Sequence, residues 1–293
     1  MMRISKTLPM KSLIGIIFAG GLLMSSCTDS NDAATEELQS IDLENAYELS
    51  EIENSSESIN DILENAYIEY ESSDLLKETE DKNQAKNRYL SDCVIITKEI
   101  NELNKIVTLD YGDGCLTKRN DEISGKIIMT IVKDNVNKNT VIDCRFEDFY
   151  FNLKKVDGSI HKVRERSNDN GFRQTTITRD VTFSWSDGTI AEIKGERKRE
   201  WIEGFENRNW GDNVFLITGS WKHTSKNGTQ KTSTIMTPLK RVAACRFIVS
   251  GSIEIEKNGN LKTIDYGSGE CDDLATMSKD GESKEFHIRK KKR

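Results

Sequence analysis

Cysteine is the residue type whose spacing in this chain implies chemistry most directly. The sequence contains six cysteines, and four of them lie in two stretches that repeat one pattern, Cys93 to Cys115 and Cys245 to Cys271. In each stretch an apolar strand follows the first cysteine, and a second strand ends in Asp-Tyr-Gly before the closing cysteine. The repeat predicts two stapled hairpins, Cys93 with Cys115 and Cys245 with Cys271. Loop entropy alone does not exclude a crossed pairing, because it grows only with the logarithm of loop length.

A fifth cysteine, Cys27, closes an N-terminal segment of unusual composition. Residues 1–27 contain the basic residues Arg3, Lys6 and Lys11 and then an apolar run over 13–24 that is too short to span a bilayer, as in an export signal. The last five residues, Leu23 to Cys27, resemble the bacterial lipobox, whose cysteine is acylated and becomes the mature N-terminus. We therefore expect Cys27 to carry palmitate or similar acyl chains that anchor the protein. An ordinary secretory signal with an incidental cysteine is the alternative.

Cys144 is the cysteine that remains once Cys27 and the two hairpins are assigned. Disulfides persist in exported proteins, so an odd cysteine there is either a free thiol or an intermolecular link. Its apolar neighbours Val141, Ile142 and Phe146 indicate a strand. We expect a buried, inert thiol; a reactive or intermolecular cysteine is the alternative.

Residues typical of catalysis or metal binding are sparse. The three histidines, His161, His223 and His287, are isolated on predicted strands, and none has the spacing of a metal-ligand pair with another His or Cys. We therefore predict no catalytic residues, no metal and no cofactor.

The most suggestive loop for ligand binding follows residue 200. It holds the aromatic residues Trp201, Phe205 and Trp210 together with Arg208 and several carboxylates. Exposed aromatic rings beside charged groups would suit the lip of a sugar- or peptide-binding site. The alternative is that these rings close one end of the fold, because large aromatic residues dominate small cores.

The segment that precedes these residues is strongly acidic. Residues 28–90 carry 4 basic and 18 acidic residues, a net charge of -14, whereas residues 91–293 carry 35 and 31, a net charge of +4. The acidic segment contains the repeat Leu-Glu-Asn-Ala-Tyr at 43–47 and 63–67 and some helical spacing of apolar residues. Because these negative charges repel one another, we expect residues 28–90 to form a partly helical or disordered tether. A docking site for a basic partner is the alternative.

From residue 91 to residue 293 the sequence predicts an antiparallel β domain with the related hairpins at its start and end. Alternating apolar and polar residues are separated by the turn pairs Asp157-Gly158, Asn170-Gly171, Asp187-Gly188, Asn227-Gly228, Asn258-Gly259 and Asp280-Gly281. About eleven to thirteen strands and few apolar residues favour an all-β fold with a large curled or barrel-like meander. A two-sheet sandwich is the second choice. Charges at every second residue from Glu192 to Glu200 argue against a membrane barrel.

Several separated motifs resemble a family of uncharacterised secreted lipoproteins from Bacteroidota. They are the lipobox, the acidic leader, the paired Asp-Tyr-Gly hairpins and the segments 125–128 and 214–219, in that family's order. The resemblance covers most of residues 1–290. It implies a location in the cell envelope and gives no indication of a mechanism, and Cys144 departs from its pattern.

These features together predict a lipid-anchored envelope protein, placed at the outer membrane by its N-terminal anchor. We expect a non-enzymatic protein that binds an unknown ligand or protein partner through its β domain, and no nucleic acid. The alternatives are an envelope glycan hydrolase with paired carboxylates and a carrier of an apolar molecule inside the curled sheet.

Overall fold

The computed structural model describes residues 30–75, 90–101, 104–207 and 209–288, with side chains of the helix described from residue 46 to residue 71. The chain divides into two compact units, residues 1–39 and residues 40–293. In the first unit the described backbone, residues 30–39, is helical. The predicted signal peptide and Cys27 lie outside the described residues. The sheet and both cysteine hairpins belong to the second unit.

One long helix is followed by a single antiparallel sheet. The strands lie in the order β1-β2-β4 and then consecutively to β14, while the short β3 also pairs with β4. This confirms the predicted meander, as one sheet of 14 strands rather than a sandwich. The sheet is not closed, because β1 and β14 remain its two edges. The elements are α1 Ser30–Leu75, β1 Ile95–Ile100, β2 Lys105–Asp110, β3 Cys115–Leu116, β4 Glu122–Asp134, β5 Asn139–Phe151, β6 Lys154–Glu165, β7 Arg173–Ser184, β8 Ile190–Glu203, β9 Val214–Thr224, β10 Gln230–Val242, β11 Ile248–Lys257, β12 Asn260–Ser268, β13 Leu274–Lys279 and β14 Glu282–His287.

The sheet curls around the helix and buries it on all sides. Between residues 52 and 67 only Asn54 is not fully buried. Tyr47 packs edge-on against Phe286 of β14, with ring centroids 5.3 Å apart. At the other end the Lys105 ammonium of β2 lies 5.2 Å from the ring centroid of Tyr70. Strands near both edges of the sheet therefore contact the same helix.

One face of the helix presents a ridge of carboxylates, spaced so that they lie above one another. Each meets cations that point inward from the strands β6, β7, β8 and β10. Arg197 bonds both Glu53 and Glu57, Arg164 bonds Glu64, and the Arg199 Nη2 to Asp61 Oδ1 distance is 2.5 Å. The buried members of this ionic layer are Glu53, Glu57, Asp61 and Glu64 of the helix and Lys162, Arg164, Arg179, Arg197, Arg199 and Arg241 of the sheet.

Asp61 is the centre of the ionic layer. Its carboxylate accepts hydrogen bonds from Arg199, from Arg241 (Nη2 to Oδ2, 2.9 Å) and from Arg119 (Nη1 to Oδ2, 3.1 Å). Burial by itself would raise the pKa of Asp61, but the charges of these arginines outweigh burial and hold the pKa well below its usual range. For Glu64 the positive charges of Arg164 and Lys162 likewise outweigh burial and lower the pKa to about 2.

The ionic layer corrects the prediction of a solvated tether. Within residues 28–90, the stretch 46–70 belongs to the core of the β domain, where Leu49, Ile52, Leu63 and Tyr70 are among its buried side chains. Its negative charge does not keep this stretch in water, because buried lysine and arginine side chains of the sheet pair with its carboxylates. Of the sequence alternatives, the acidic docking segment is the closer, with the sheet of the same chain as the basic partner.

The two cysteine hairpins form as predicted. Disulfides join Cys93 to Cys115, with Cα atoms 6.1 Å apart, and Cys245 to Cys271, 5.7 Å apart. In both copies the Asp-Tyr-Gly aspartate accepts a hydrogen bond from the glycine N–H, at 2.9 Å from Gly112 and 2.7 Å from Gly267. The tyrosine between them is buried in each copy. The motif therefore turns the strand end and anchors it in the core.

The loops beside the two hairpins contact each other through arginines. Arg246 donates to the backbone carbonyl of Arg119 at 2.8 Å and also bonds the carboxylate of Asp121. Arg119 in turn bonds the backbone carbonyl of Ala243 as well as Asp61. Side chains thus connect the start of β4 with the loop between β10 and β11, although no strand pairing joins these regions.

Five of the six predicted turn pairs lie between strands, and one does not. Asp157-Gly158 lies inside β6, where Gly158 pairs with Val181. Its φ is 108°, and a Cβ there would stand 2.1 Å from the Asp180 carbonyl oxygen, so the glycine serves a close strand approach. The turn between β5 and β6 is formed instead by Asn152 and Leu153.

Removing the charge of Asp61 tests the ionic layer. Asp61→Asn would leave the buried Arg199 and Arg241 and the partly buried Arg119 without their shared carboxylate, so we expect the free energy of unfolding to fall by about 3–5 kcal/mol. Urea unfolding followed by circular dichroism would measure it.

Glu192→Gln is the matched control, because this residue of β8 is exposed on the outer face of the sheet. We expect that variant to stay within about 0.5 kcal/mol of the parent protein. An Asp61→Asn variant with equally small effect would contradict the structural role of the layer.

His223 is a buried titratable group near the N-terminal part of the enclosed helix. Its Nε2 lies 3.7 Å from Glu48 Oε1, and neither ring nitrogen has a hydrogen-bond partner among the described residues. Burial, followed by the charges of Lys231 and Arg179, lowers the pKa of His223 to about 4. The folded protein therefore holds this imidazole neutral at neutral pH.

The lowered pKa of His223 makes the stability of the folded protein depend on pH. Between an unfolded pKa of about 6.5 and the folded pKa of about 4, only the unfolded state binds the proton, so stability falls as pH decreases through that window, by up to about 3 kcal/mol. His223→Leu should flatten this slope when unfolding is measured from pH 7 to pH 4. His161→Gln, at a half-exposed histidine, is the control and should retain it; an unchanged slope in His223→Leu would contradict the assignment.

Candidate functional site

The predicted aromatic lip is a packed cluster. Trp201 and Trp210 are only 5% and 9% exposed, and both pack against Phe215 in a tilted arrangement, with ring centroids 5.5 and 5.7 Å from it. Trp201 Nε1 donates to the Asn213 side chain at 3.2 Å. Phe205 is partly buried against the same cluster, and Arg208 lies outside the described residues. The indoles therefore close an end of the sheet, as the alternative reading expects, and do not form an exposed lip.

A different surface brings three exposed apolar side chains together. A groove of about 730 Å³ lies beside the first stapled hairpin. Of the ten exposed large apolar residues in the described chain, three line this groove, Leu116, Tyr150 and Leu153. Because these three apolar side chains share one groove, we take it as the candidate binding surface. We call this surface the hairpin groove; it is lined by Asp113, Gly114, Cys115, Leu116, Glu122, Ile123, Ser124, Tyr150, Leu153 and Ser186.

Strand pairing holds the floor of the hairpin groove in place. Leu116 of β3 is paired directly with Glu122 of β4, and Ser124 is paired with Tyr150 of β5. A bulge follows Ser124, where Gly125 has a φ of 78° and a Cβ would stand 2.0 Å from the Asp148 carbonyl oxygen. Bulges re-aim side chains and are common next to functional sites.

The turn that carries Leu153 is strained. Asn152 and Leu153 have φ values of 49° and 64°, and Leu153 is 68% exposed. The hairpin between β11 and β12 uses Asn258-Gly259, with φ values of 51° and 79°, which is the pair such a turn favours. A left-handed backbone costs a residue with a side chain roughly 1 kcal/mol. An apolar residue kept there, in contact with water, indicates a role other than stability.

Hydrogen bonds fix this turn against the start of β4. The Asn152 N–H donates to the Glu122 carbonyl at 2.8 Å, and its side-chain oxygen accepts from the Glu122 N–H at 3.0 Å. The Asn152 amide also donates to Asp121 Oδ1 at 2.8 Å. Leu153 is therefore presented on a rigid support.

Within the described part of the chain, the two carboxylates of the hairpin groove, Asp113 and Glu122, lack the ion pairs that neighbouring carboxylates have. Lys126 pairs with Asp110 at 2.8 Å and Lys118 pairs with Asp92 at 2.6 Å. Asp113 and Glu122 have no ion-pair partner among the described residues, and no basic side chain lines the groove. The groove thus combines apolar surface with uncompensated negative charge.

Sequence reasoning missed the hairpin groove because its residues come from four separate segments. One signal was available: Asn152-Leu153 stands between two alternating stretches where Asn-Gly would be usual. The nearby Asp157-Gly158 obscured it, since that pair matches the preferred turn.

The remaining predicted residues are placed as follows. Cys144 is free and buried in β5, and burial raises its thiol pKa to about 12, which suits an inert group. Over the described part of the chain, no group of three or more potential ligands could hold a metal ion. The described helix also lacks any stretch long and apolar enough to cross a membrane.

Comparison with known proteins gives no match: no family model, no curated protein and no solved structure is significantly similar to this chain.

The strain at Leu153 is directly testable. Leu153→Asn should raise the free energy of unfolding by roughly 0.5–1 kcal/mol, because asparagine tolerates positive φ and the leucine is mostly exposed. Thermal or urea unfolding would show the gain. Leu261→Asn makes the same change at another exposed leucine and should give none. Equal effects of the two substitutions would rule out stored strain.

Proposed function

We propose that the protein is a lipid-anchored component of the cell envelope that binds a ligand or partner through the hairpin groove, without catalysing a reaction. The anchor is Cys27, which follows from the likeness of Leu23–Cys27 to a lipobox. In this proposal the protein resides at the outer membrane and acts as a fixed receptor.

The clustering of exposed apolar side chains around the strained Leu153 is the observation that carries the proposal. Leu153 is fixed by the Asn152 contacts to Glu122 and Asp121, so the groove is formed before a ligand arrives. Preformed sites lose less entropy on binding. Natural proteins tolerate such strain where binding depends on it.

The structure bears on both alternative functions, the carrier of an apolar molecule and the glycan hydrolase. A carrier would hold an apolar molecule inside the curled sheet, but that space is occupied by the buried stretch 52–67 of the helix. A glycan hydrolase would need paired carboxylates, and the hairpin groove contains two, Asp113 and Glu122. The hydrolase therefore stays as the second candidate, with its chemistry at the same groove.

Photo-crosslinking in cells tests the proposal. With a photo-reactive benzoylphenylalanine at Tyr150, we expect one discrete crosslinked species in the membrane fraction after illumination. Cys27→Ser in the same chain should move the protein out of the membrane fraction, since acyl chains supply the membrane affinity.

The control places the same photo-reactive residue at Lys198, an exposed outer-face position of β8. It should give no discrete species. Identical products from both positions, or none from Tyr150, would refute binding at the groove. A Cys27→Ser variant that still sediments with membranes would refute the anchor.

A further inference from the structure

We propose that the occupant of the hairpin groove is an extended peptide segment of a partner protein, with lysine or arginine side chains next to apolar ones. This inference rests on the proposed function and adds the chemistry of the ligand.

Charge complementarity is the first argument. Asp113 and Glu122 lack ion-pair partners among the described residues, whereas Asp92, Asp110 and Asp121 around them are each paired with Lys118, Lys126 or Arg246. These three carboxylates are neutralised by cations of the same chain, whereas the two inside the groove are available to a ligand. A cationic side chain would complete the same pattern, and an anionic ligand would be repelled.

The arrangement of apolar groups is the second argument. Leu116 and Tyr150 lie on neighbouring paired strands, and Leu153 projects from the fixed turn beyond them. Glu122 is paired with Leu116, so a carboxylate stands next to an apolar side chain. A ligand must therefore offer cationic and apolar groups at short spacing, as an extended peptide does when its side chains alternate.

Binding of short synthetic peptides to the full chain tests this inference. The probe is acetyl-Leu-Lys-Leu-Lys-Leu-amide, and the comparison is the same peptide with glutamate at the lysine positions. Calorimetry at neutral pH should detect the lysine peptide only, with affinity that weakens as salt is raised. Asp113→Asn and Glu122→Gln should each weaken it about threefold, and the double variant about tenfold, as for solvent-accessible ion pairs.

The control variant is Glu192→Gln with Glu196→Gln, two exposed carboxylates on the outer face of β8; its affinity should equal that of the parent protein. Leu153→Asn should weaken the lysine peptide while it leaves the fold intact. Unfolding curves of every variant would separate lost binding from lost structure.

Three outcomes would overturn the inference. They are equal binding of both peptides, lysine-peptide binding that the groove variants do not change, and no binding at millimolar concentration. If a chito-oligosaccharide binds instead and Leu153→Asn abolishes that binding, the ligand is a glycan and the proposed receptor function remains. A crosslink from Tyr150 in cells is independent of the peptides, so the two proposals can fail separately.

Discussion

The burial of ion pairs between the central helix and the sheet is the constraint on which this structure depends. Removing a charge from water costs several kcal/mol, and only a well-placed opposite charge offsets that cost. The carboxylate ridge of the helix and the inward arginines of the sheet could not be buried separately. Because Asp61 bonds arginines from three parts of the chain, the layer also sets the position of the helix along its axis. Helix and sheet are therefore one cooperative core.

Arginine suits this interior better than lysine would. Arg197 lies 3.8 Å from the ring centroid of Trp221, and Arg199 lies 3.8 Å from that of Phe215. A planar guanidinium can stack on a ring and bond a carboxylate at its edge, which a lysine ammonium cannot. The inner face is thereby filled, and the outer face rests on a rigid support.

Much of the sheet could be predicted from the sequence, since hairpin turns, alternation and the repeated cysteine pattern are local signals. The enclosed helix could not. Acidic segments are usually solvated, and the cations that match this one are scattered over distant strands, as in the pair Arg197–Glu57, which are 140 residues apart. Inward arginines also interrupt the apolar alternation that defines a buried face, at Arg197 and Arg199 above all. The hairpin groove could not be predicted for a related reason, because strand pairing assembles it from segments that are distant in the sequence.

The order of elements along the chain has a kinetic consequence. The helix is synthesised first, yet Asp61 is separated from Arg241 by 180 residues, so its last partner is made long afterwards. Hairpins with short turns can form locally and quickly, while contacts of such separation form slowly. The helical segment therefore stays unfolded, or forms an isolated helix, until the strands of the sheet have formed and can enclose it. Its negative charge keeps that waiting segment soluble, so the residues that neutralise the arginines at the end also protect the chain from aggregation at the beginning.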